Sequence, residues 1–281
     1  MAYGCLTAST SLIGSYVGLS KLLVAVFPVF LLAGLRFSIA GALMLPWLKR
    51  GANEARLDRR THALLFCEAF LGNFLFSICL LTGLHYASAV VAGVILAGIP
   101  AAVALLSRIF LGERIAPRVL LGILLGVAGI ALVALQKQGG ASTTPLGALL
   151  LVTAMLCEAS YVVIGKRLTA NVTPRRISAM INLWGLILVA PLALWQATSF
   201  DFSLPSLPIW GLMAFYATAA SVITVWLWMT GLKHIPAAQA GVFMVFLPVA
   251  TAIVGLLLGE SMNSMQGLAY ALALVGVLLA A

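Results

Sequence analysis

The second half of this chain repeats its first half, and no other feature restricts the fold as much. Ser15-Tyr16-Val17 with Lys21 returns as Ser160-Tyr161-Val162 with Lys166, 145 residues later. Gly83-Leu84, Ala92-Gly93-Val94 and Pro100 return as Gly231-Leu232, Ala240-Gly241-Val242 and Pro248, 148 residues later. Leu111-Gly112-Glu113 and Gly129 return as Leu258-Gly259-Glu260 and Gly276, at an offset of 147. Offsets this constant, over landmarks this far apart, divide the chain into two copies, residues 1–140 and 141–281.

Each copy is built for a bilayer. The residues are 63% hydrophobic and 8% charged, against about 25% charged in soluble domains. Apolar runs of about 20 residues, enough to cross a hydrocarbon core of about 30 Å, recur from end to end. They read as ten helices, at 4–26, 28–48, 61–82, 87–110, 117–135, 145–166, 174–195, 207–230, 236–258 and 262–281. Pro28, Pro117, Pro145, Pro174, Pro208 and Pro236 fall at or near their starts, where a missing amide hydrogen costs nothing. A membrane β-barrel would show short alternating segments instead. Five crossings per copy is an odd number, so the second copy must sit upside down relative to the first. The expected fold is an all-α membrane protein, a single transmembrane domain of ten transmembrane helices arranged as two inverted five-helix repeats. Secondary transporters use inverted repeats, with the site between the copies near the midplane.

The formal charge of +9 would suggest nucleic acid in a soluble protein, but its placement points to the membrane. With the N-terminus inside, the inner loops hold Lys49, Arg50, Arg56, Arg59 and Arg60, then Arg108, Arg114 and Arg118, then Lys166, Arg167, Arg175 and Arg176, and Lys233. The outer side holds Lys21 and Lys137, and Arg36 lies within a helix. This asymmetry predicts both termini in the cytoplasm. The loop around Glu113 is basic and the equivalent loop around Glu260 has no basic residue, as inversion requires.

Several chemistries are excluded. No phosphate-cradling glycine loop precedes Lys and Ser or Thr, and no HExxH or G-x-S-x-G element occurs. His62, His85 and His234 are expected near membrane surfaces in separate loops. Cys5, Cys67, Cys79 and Cys157 are isolated within helices and read as small packing residues. The first apolar segment lacks a basic leader and is itself a repeat unit, so it is expected to be retained. No enzyme, catalytic residue, metal site or cofactor is expected.

Matched positions nominate a cavity between the first, third, fourth, sixth, eighth and ninth helices. Pro100 and Pro248 are equivalent, and a mid-helix proline frees a carbonyl that needs protein or a polar cavity beside it; the alternative is a packing kink. Asn73 and Ser221 are equivalent, with Asn73 about 18 Å into its helix by rise. Tyr16 and Tyr161 are equivalent, and each follows a serine. Trp184, Trp226 and Trp228 add bulk, either at the cavity or in interfacial belts, and Trp184 completes the substrate-binding candidates Tyr16, Asn73, Tyr161 and Ser221. Arg36, Glu68 and Glu158 are charges inside predicted helices and hence candidates for coupling or cargo contact. Glu68 lies close enough to the inner surface to snorkel, whereas Glu158 is deeper and faces Ile13 in the other copy. Gly14-x-x-x-Gly18, Gly122-x-x-x-Gly126 and Gly255-x-x-x-Gly259 allow close helix contacts. Glu113 and Glu260 precede the next helices and read as caps.

Leu35-Arg36-Phe37, the Gly-Leu…Ala…Pro helix ending in Gly-Glu in both copies, and the five-plus-five organisation resemble the drug/metabolite transporter superfamily, and within it the EamA-type carriers. The resemblance implies a multi-pass secondary carrier of the inner (plasma) membrane and favours a structural pairing for Arg36. Many such carriers export amino acids and related metabolites, one branch aromatic amino acids, while others move drugs, nucleotide sugars or phosphorylated metabolites. Only Arg36 is available at depth to meet a phosphate, which argues against phosphorylated cargo. The expectation is export of small amphipathic metabolites, foremost apolar and aromatic amino acids, by alternating access; the alternative is efflux of drugs or lipophilic cations. The expected partners are a small-molecule substrate and the lipid bilayer, with the proton as candidate coupling ion and no nucleic acid. The oligomeric state stays open between monomer and homodimer.

Overall fold

The computed structural model describes residues 1–51, 54, 57–87, 89–135, 144–257 and 264–280, with all their side chains except those of 16–21, 89–90, 133–135 and 255. Among the described residues every regular element is helical. The first half comprises α1 (Ala2–Val24), α2 (Val29–Met44), α3 (Arg59–Ala69), α4 (Phe76–Tyr86), α5 (Ala89–Ala97), α6 (Ile99–Leu111) and α7 (Pro117–Leu135). The second comprises α8 (Pro145–Leu168), α9 (Pro174–Ala197), α10 (Leu207–Ala217), α11 (Thr224–His234), α12 (Ala237–Val242), α13 (Phe246–Leu257) and α14 (Ser264–Ala280). Several join end to end, so that 7 helical stretches are long and apolar enough to cross a membrane, with shorter apolar helices at Pro117–Leu132 and Ser264–Ala280.

Two joins differ from the expected unbroken helices. A π-helical segment, Phe70–Leu75, links α3 to α4, and a second, Thr218–Ile223, links α10 to α11. They are separated by the repeat offset of 148. Pro100 is also not inside a continuous helix. The chain turns at Gly98, and Pro100 lies in the first turn of α6, where its missing N–H breaks no bond. Pro248 lies in the first turn of α13, after a 3-10 segment at Phe243–Val245.

The packing has a recurrent exchange pattern. Gly83 of α4 packs on Leu151 of α8, and Gly231 of α11 packs on Leu6 of α1; under the sequence offsets these are one contact with the copies exchanged. On α7 and α14, Gly122 meets Gly276, while Gly129 meets Ala269 and Ala273. As one helix ascends the other descends, so these two equivalent helices are antiparallel. A Cβ on Gly276 would stand 2.5 Å from the Gly122 carbonyl oxygen, which is why both positions are glycine. The equivalent α2 and α9 are antiparallel too: Gly34 lies against Ala193, and Met44 Sδ is 3.7 Å from Asn182 Nδ2.

Polar contacts gather the basic loops at one end. The buried Glu54 carboxylate accepts from Thr173 N (3.1 Å) and Gly51 N (3.1 Å) and pairs with Arg176 (3.4 Å). Lys166 Nζ donates to the carbonyls of Leu232 (2.9 Å) and Lys233 (3.2 Å) at the end of α11. Asp58 caps α3 through Thr61 N (2.8 Å), and hydrogen bonding from the side chain and then the backbone of Thr61 holds its carboxyl below the usual range. Glu113 does cap a helix, though not the next one: it accepts from Ala237 N (2.8 Å) and Ala238 N (3.2 Å) at the start of α12. Glu260 lies outside the described residues. Two expectations about burial need correction. Cys67 is exposed rather than packed. Glu68 does not snorkel to water but is fully buried, its carboxylate against Gly165 with Met229 and Leu232 on the same contact.

Candidate functional site

A cavity of about 480 Å³ lies at the centre of the helices, within the span of about 300–1,000 Å³ common to small-molecule sites. Both halves of the chain line it in matched positions. At an offset of 148, Gly72 and Ala220, Asn73 and Ser221, Phe76 and Thr224, Leu80 and Trp228, and Pro100 and Pro248 all face it. The π segments supply the first two of these pairs. A π turn holds an extra residue, which redirects side chains relative to a regular helix and recurs at functional sites.

The carbonyls around the second π segment are satisfied from neighbouring helices. Asn182 Nδ2 donates to Ser221 O (3.0 Å) and to Ser178 O (2.8 Å), and Ser9 Oγ donates to Thr224 O (2.9 Å). Three side chains of this segment and of the adjoining α11 are left over. Ser221 Oγ, Thr224 Oγ1 and Trp228 Nε1 are buried polar atoms with no hydrogen-bond partner among the described residues, and their residues line the cavity. Positions 221, 224 and 228 follow the spacing of one helix face, so the three residues share one wall.

Two charged side chains join this lining. Arg36 enters from α2, its guanidinium 4.4 Å from the centre of the Phe37 ring and 6.0 Å from that of Tyr216. Glu158 enters from α8. Among the described residues neither makes a hydrogen bond or ion pair. At the offset of 145 their counterparts are Ile181 and Ile13, which also line the cavity.

The structure therefore brings together Asn73, Tyr161, Ser221, Arg36, Glu158, Pro100 and Pro248. The side chain of Tyr16 lies outside the described residues. Trp184 is not in the lining; it packs edge-on against Phe66, ring centres 5.2 Å apart. Glu68 is likewise outside it, enclosed between α3 and α8. Trp226 stands beside Trp47 (6.1 Å), with Arg175 5.8 Å from each ring. Ser9, Asn182 and Thr224 went unnoticed in the sequence. Polar residues with apolar counterparts carry no repeat signal, and only its helical spacing from Ser221 could have marked Thr224.

The chain is similar to known proteins. The EamA-like transporter family matches residues 2–135 and again 145–281. The uncharacterized transporter YetK of Bacillus subtilis is 34% identical over 98% of this chain and 85% of its own length. The uncharacterized inner membrane transporter YedA of Escherichia coli K12 is 27% identical over 99% of this chain and 89% of its own. A crystal structure at 22% identity superposes with a TM-score of 0.78, covering 98% of this chain and 94% of that one; the likeness concerns the fold. Apolar helices that cross the membrane many times, around a shared central cavity, make this chain a multi-pass membrane transporter, and it belongs to the EamA-like transporter family.

Proposed function

We propose that this protein is a secondary carrier that moves small amphipathic metabolites, foremost apolar and aromatic amino acids, out of the cell by alternating access. The observation that carries this reading is the central cavity: mostly apolar walls, a few hydroxyl and amide groups, and lining drawn from both halves of the chain. Apolar walls take an aliphatic or aromatic body, and the sparse polar groups orient its polar end. A single guanidinium provides too few donors for a phosphorylated cargo.

The carrier operates as ten transmembrane helices in two inverted copies. Antiparallel pairing of the equivalent α7 and α14, and of α2 and α9, supports inversion, as does the double match to one family. Inverted copies around a common site provide two related states, open to opposite sides. The inner membrane is the favoured location on the strength of relatives such as YedA, and the basic loops at one end favour cytoplasmic termini. Lipophilic-cation efflux is the second reading, favoured by one observation, the carboxylate of Glu158 in a largely apolar chamber.

Flux through purified protein in liposomes, screened over amino acids and lipophilic cations with and without a proton gradient, tests the proposal. Saturable flux of phenylalanine or leucine is expected. Movement of a lipophilic cation alone, abolished by Glu158→Gln, would instead establish the second reading.

A further inference from the structure

Arg36 and Glu158 break the symmetry of the cavity, one in each copy. Under the repeat offset each of these charges is matched by an isoleucine in the other half. A cavity built from two related halves has no structural need for opposite charges on different helices. Placing each at depth costs several kcal/mol unless something answers it.

The hydrogen-bond donors break the symmetry in the same sense. Among the described residues, Ser221, Thr224 and Trp228 carry three buried polar atoms without a partner, where the first half has Asn73, Phe76 and Leu80. Arg36 belongs to this donor wall: α2 packs against the π segment that carries Ser221, and the guanidinium lies over Tyr216 of the adjoining α10. Glu158 belongs to the other wall, because α8 packs against α4, α6 and the first π segment.

We propose that the cavity recognises a zwitterion and divides its charges between these walls, the carboxylate on Arg36, Ser221, Thr224 and Trp228 and the ammonium on Glu158. The proposal rests on the amino-acid reading above and assigns its recognition groups. A carboxylate only accepts hydrogen bonds, and guanidinium and indole N–H groups only donate; an ammonium only donates, and an ionised carboxylate only accepts. The apolar body of the ligand lies along Phe76 and Leu80. A lipophilic cation would answer Glu158 and leave Arg36 and three buried donors unmatched. An anion would leave Glu158 without a partner and repelled.

Three probes that share one ring separate the charges: L-phenylalanine, N-acetyl-L-phenylalanine, which lacks the ammonium, and phenethylamine, which lacks the carboxylate. Affinities are measured calorimetrically on the purified full-length protein. The wild type is expected to bind phenylalanine at least about tenfold more tightly than either analogue, a charge-assisted contact being lost each time. Glu158→Gln should weaken phenylalanine about tenfold without weakening N-acetyl-phenylalanine, so that the two converge. Arg36→Gln should make phenylalanine and phenethylamine converge instead. Should Arg36→Gln fail to fold, Thr224→Val provides the same comparison with the charge kept.

Retained binding of the unaffected analogue shows that a variant is folded. Equal affinities for all three probes in the wild type, or variants that weaken all three alike, would overturn the charge division and leave amino-acid transport standing. A wild type that binds phenethylamine and not phenylalanine, or binds none of the probes, would overturn both.

Discussion

Gly165 has no room for a methyl group. A Cβ there would lie 2.7 Å from Glu68 Oε1 and 3.2 Å from both Met229 Cε and Leu232 Cδ2, all in fully buried side chains. Gly165→Ala is therefore expected to destabilise the protein by about 1–3 kcal/mol, the usual cost of overpacking, read as a lower thermal midpoint in detergent. An unchanged midpoint would mean that this contact relaxes freely. Trp184→Phe tests the cavity boundary from outside: its ring packs on Phe66 and the residue is absent from the lining, so cargo affinity should stay within about twofold of wild type. A tenfold loss would move the boundary. Residue by residue, the sequence revealed what the two copies share. Asn73 and Ser221 stood out because both are polar at one repeat position. Asn182 and Thr224 did not, because Phe37 and Phe76 occupy the matching sites. Glu158 and Arg36 were visible for another reason, as charges within apolar runs.

Helix identity was legible from hydropathy, and helix interruptions were not. A π turn adds one residue without changing the apolar character of the run, so Phe70–Leu75 and Thr218–Ile223 leave no mark in hydropathy. The break before Pro100 hides for the same reason, since Gly98 and Ile99 read as continuous helix. The position of that break can be tested. In the first turn of α6, Pro100 costs no hydrogen bond, so Pro100→Ala should change stability by less than about 1 kcal/mol; relief of a mid-helix proline would yield a gain of about 3 kcal/mol. The α7–α14 contact should respond oppositely. A Cβ on Gly276 would meet the Gly122 carbonyl at 2.5 Å and Gly126 N at 3.0 Å. Gly276→Val forces the two backbones apart and should sharply reduce the yield of monodisperse protein. A wild-type yield would contradict this packing.

The molecule as a whole is two related halves around one cavity, and its contacts identify one end. Glu54, Glu113, Lys166 and Arg176 tie four basic loops together there. If that end is cytoplasmic, single cysteines at Lys49 and Arg114, in a background without the four native cysteines, should be labelled only from inside. Labelling of either from outside would contradict the assigned orientation. Alternating access makes the stricter demand that one cavity residue be reachable in turn from both sides. Asn73, in the first π segment, is placed to report it. Asn73→Cys in the same background is expected to react with a charged, membrane-impermeant thiol reagent in right-side-out and in inside-out vesicles. L-phenylalanine should slow both reactions about tenfold, through occupancy at saturating concentration. Reaction from one side only, or at rates that phenylalanine leaves unchanged, would contradict a central amino-acid site that alternates between the two sides of the membrane.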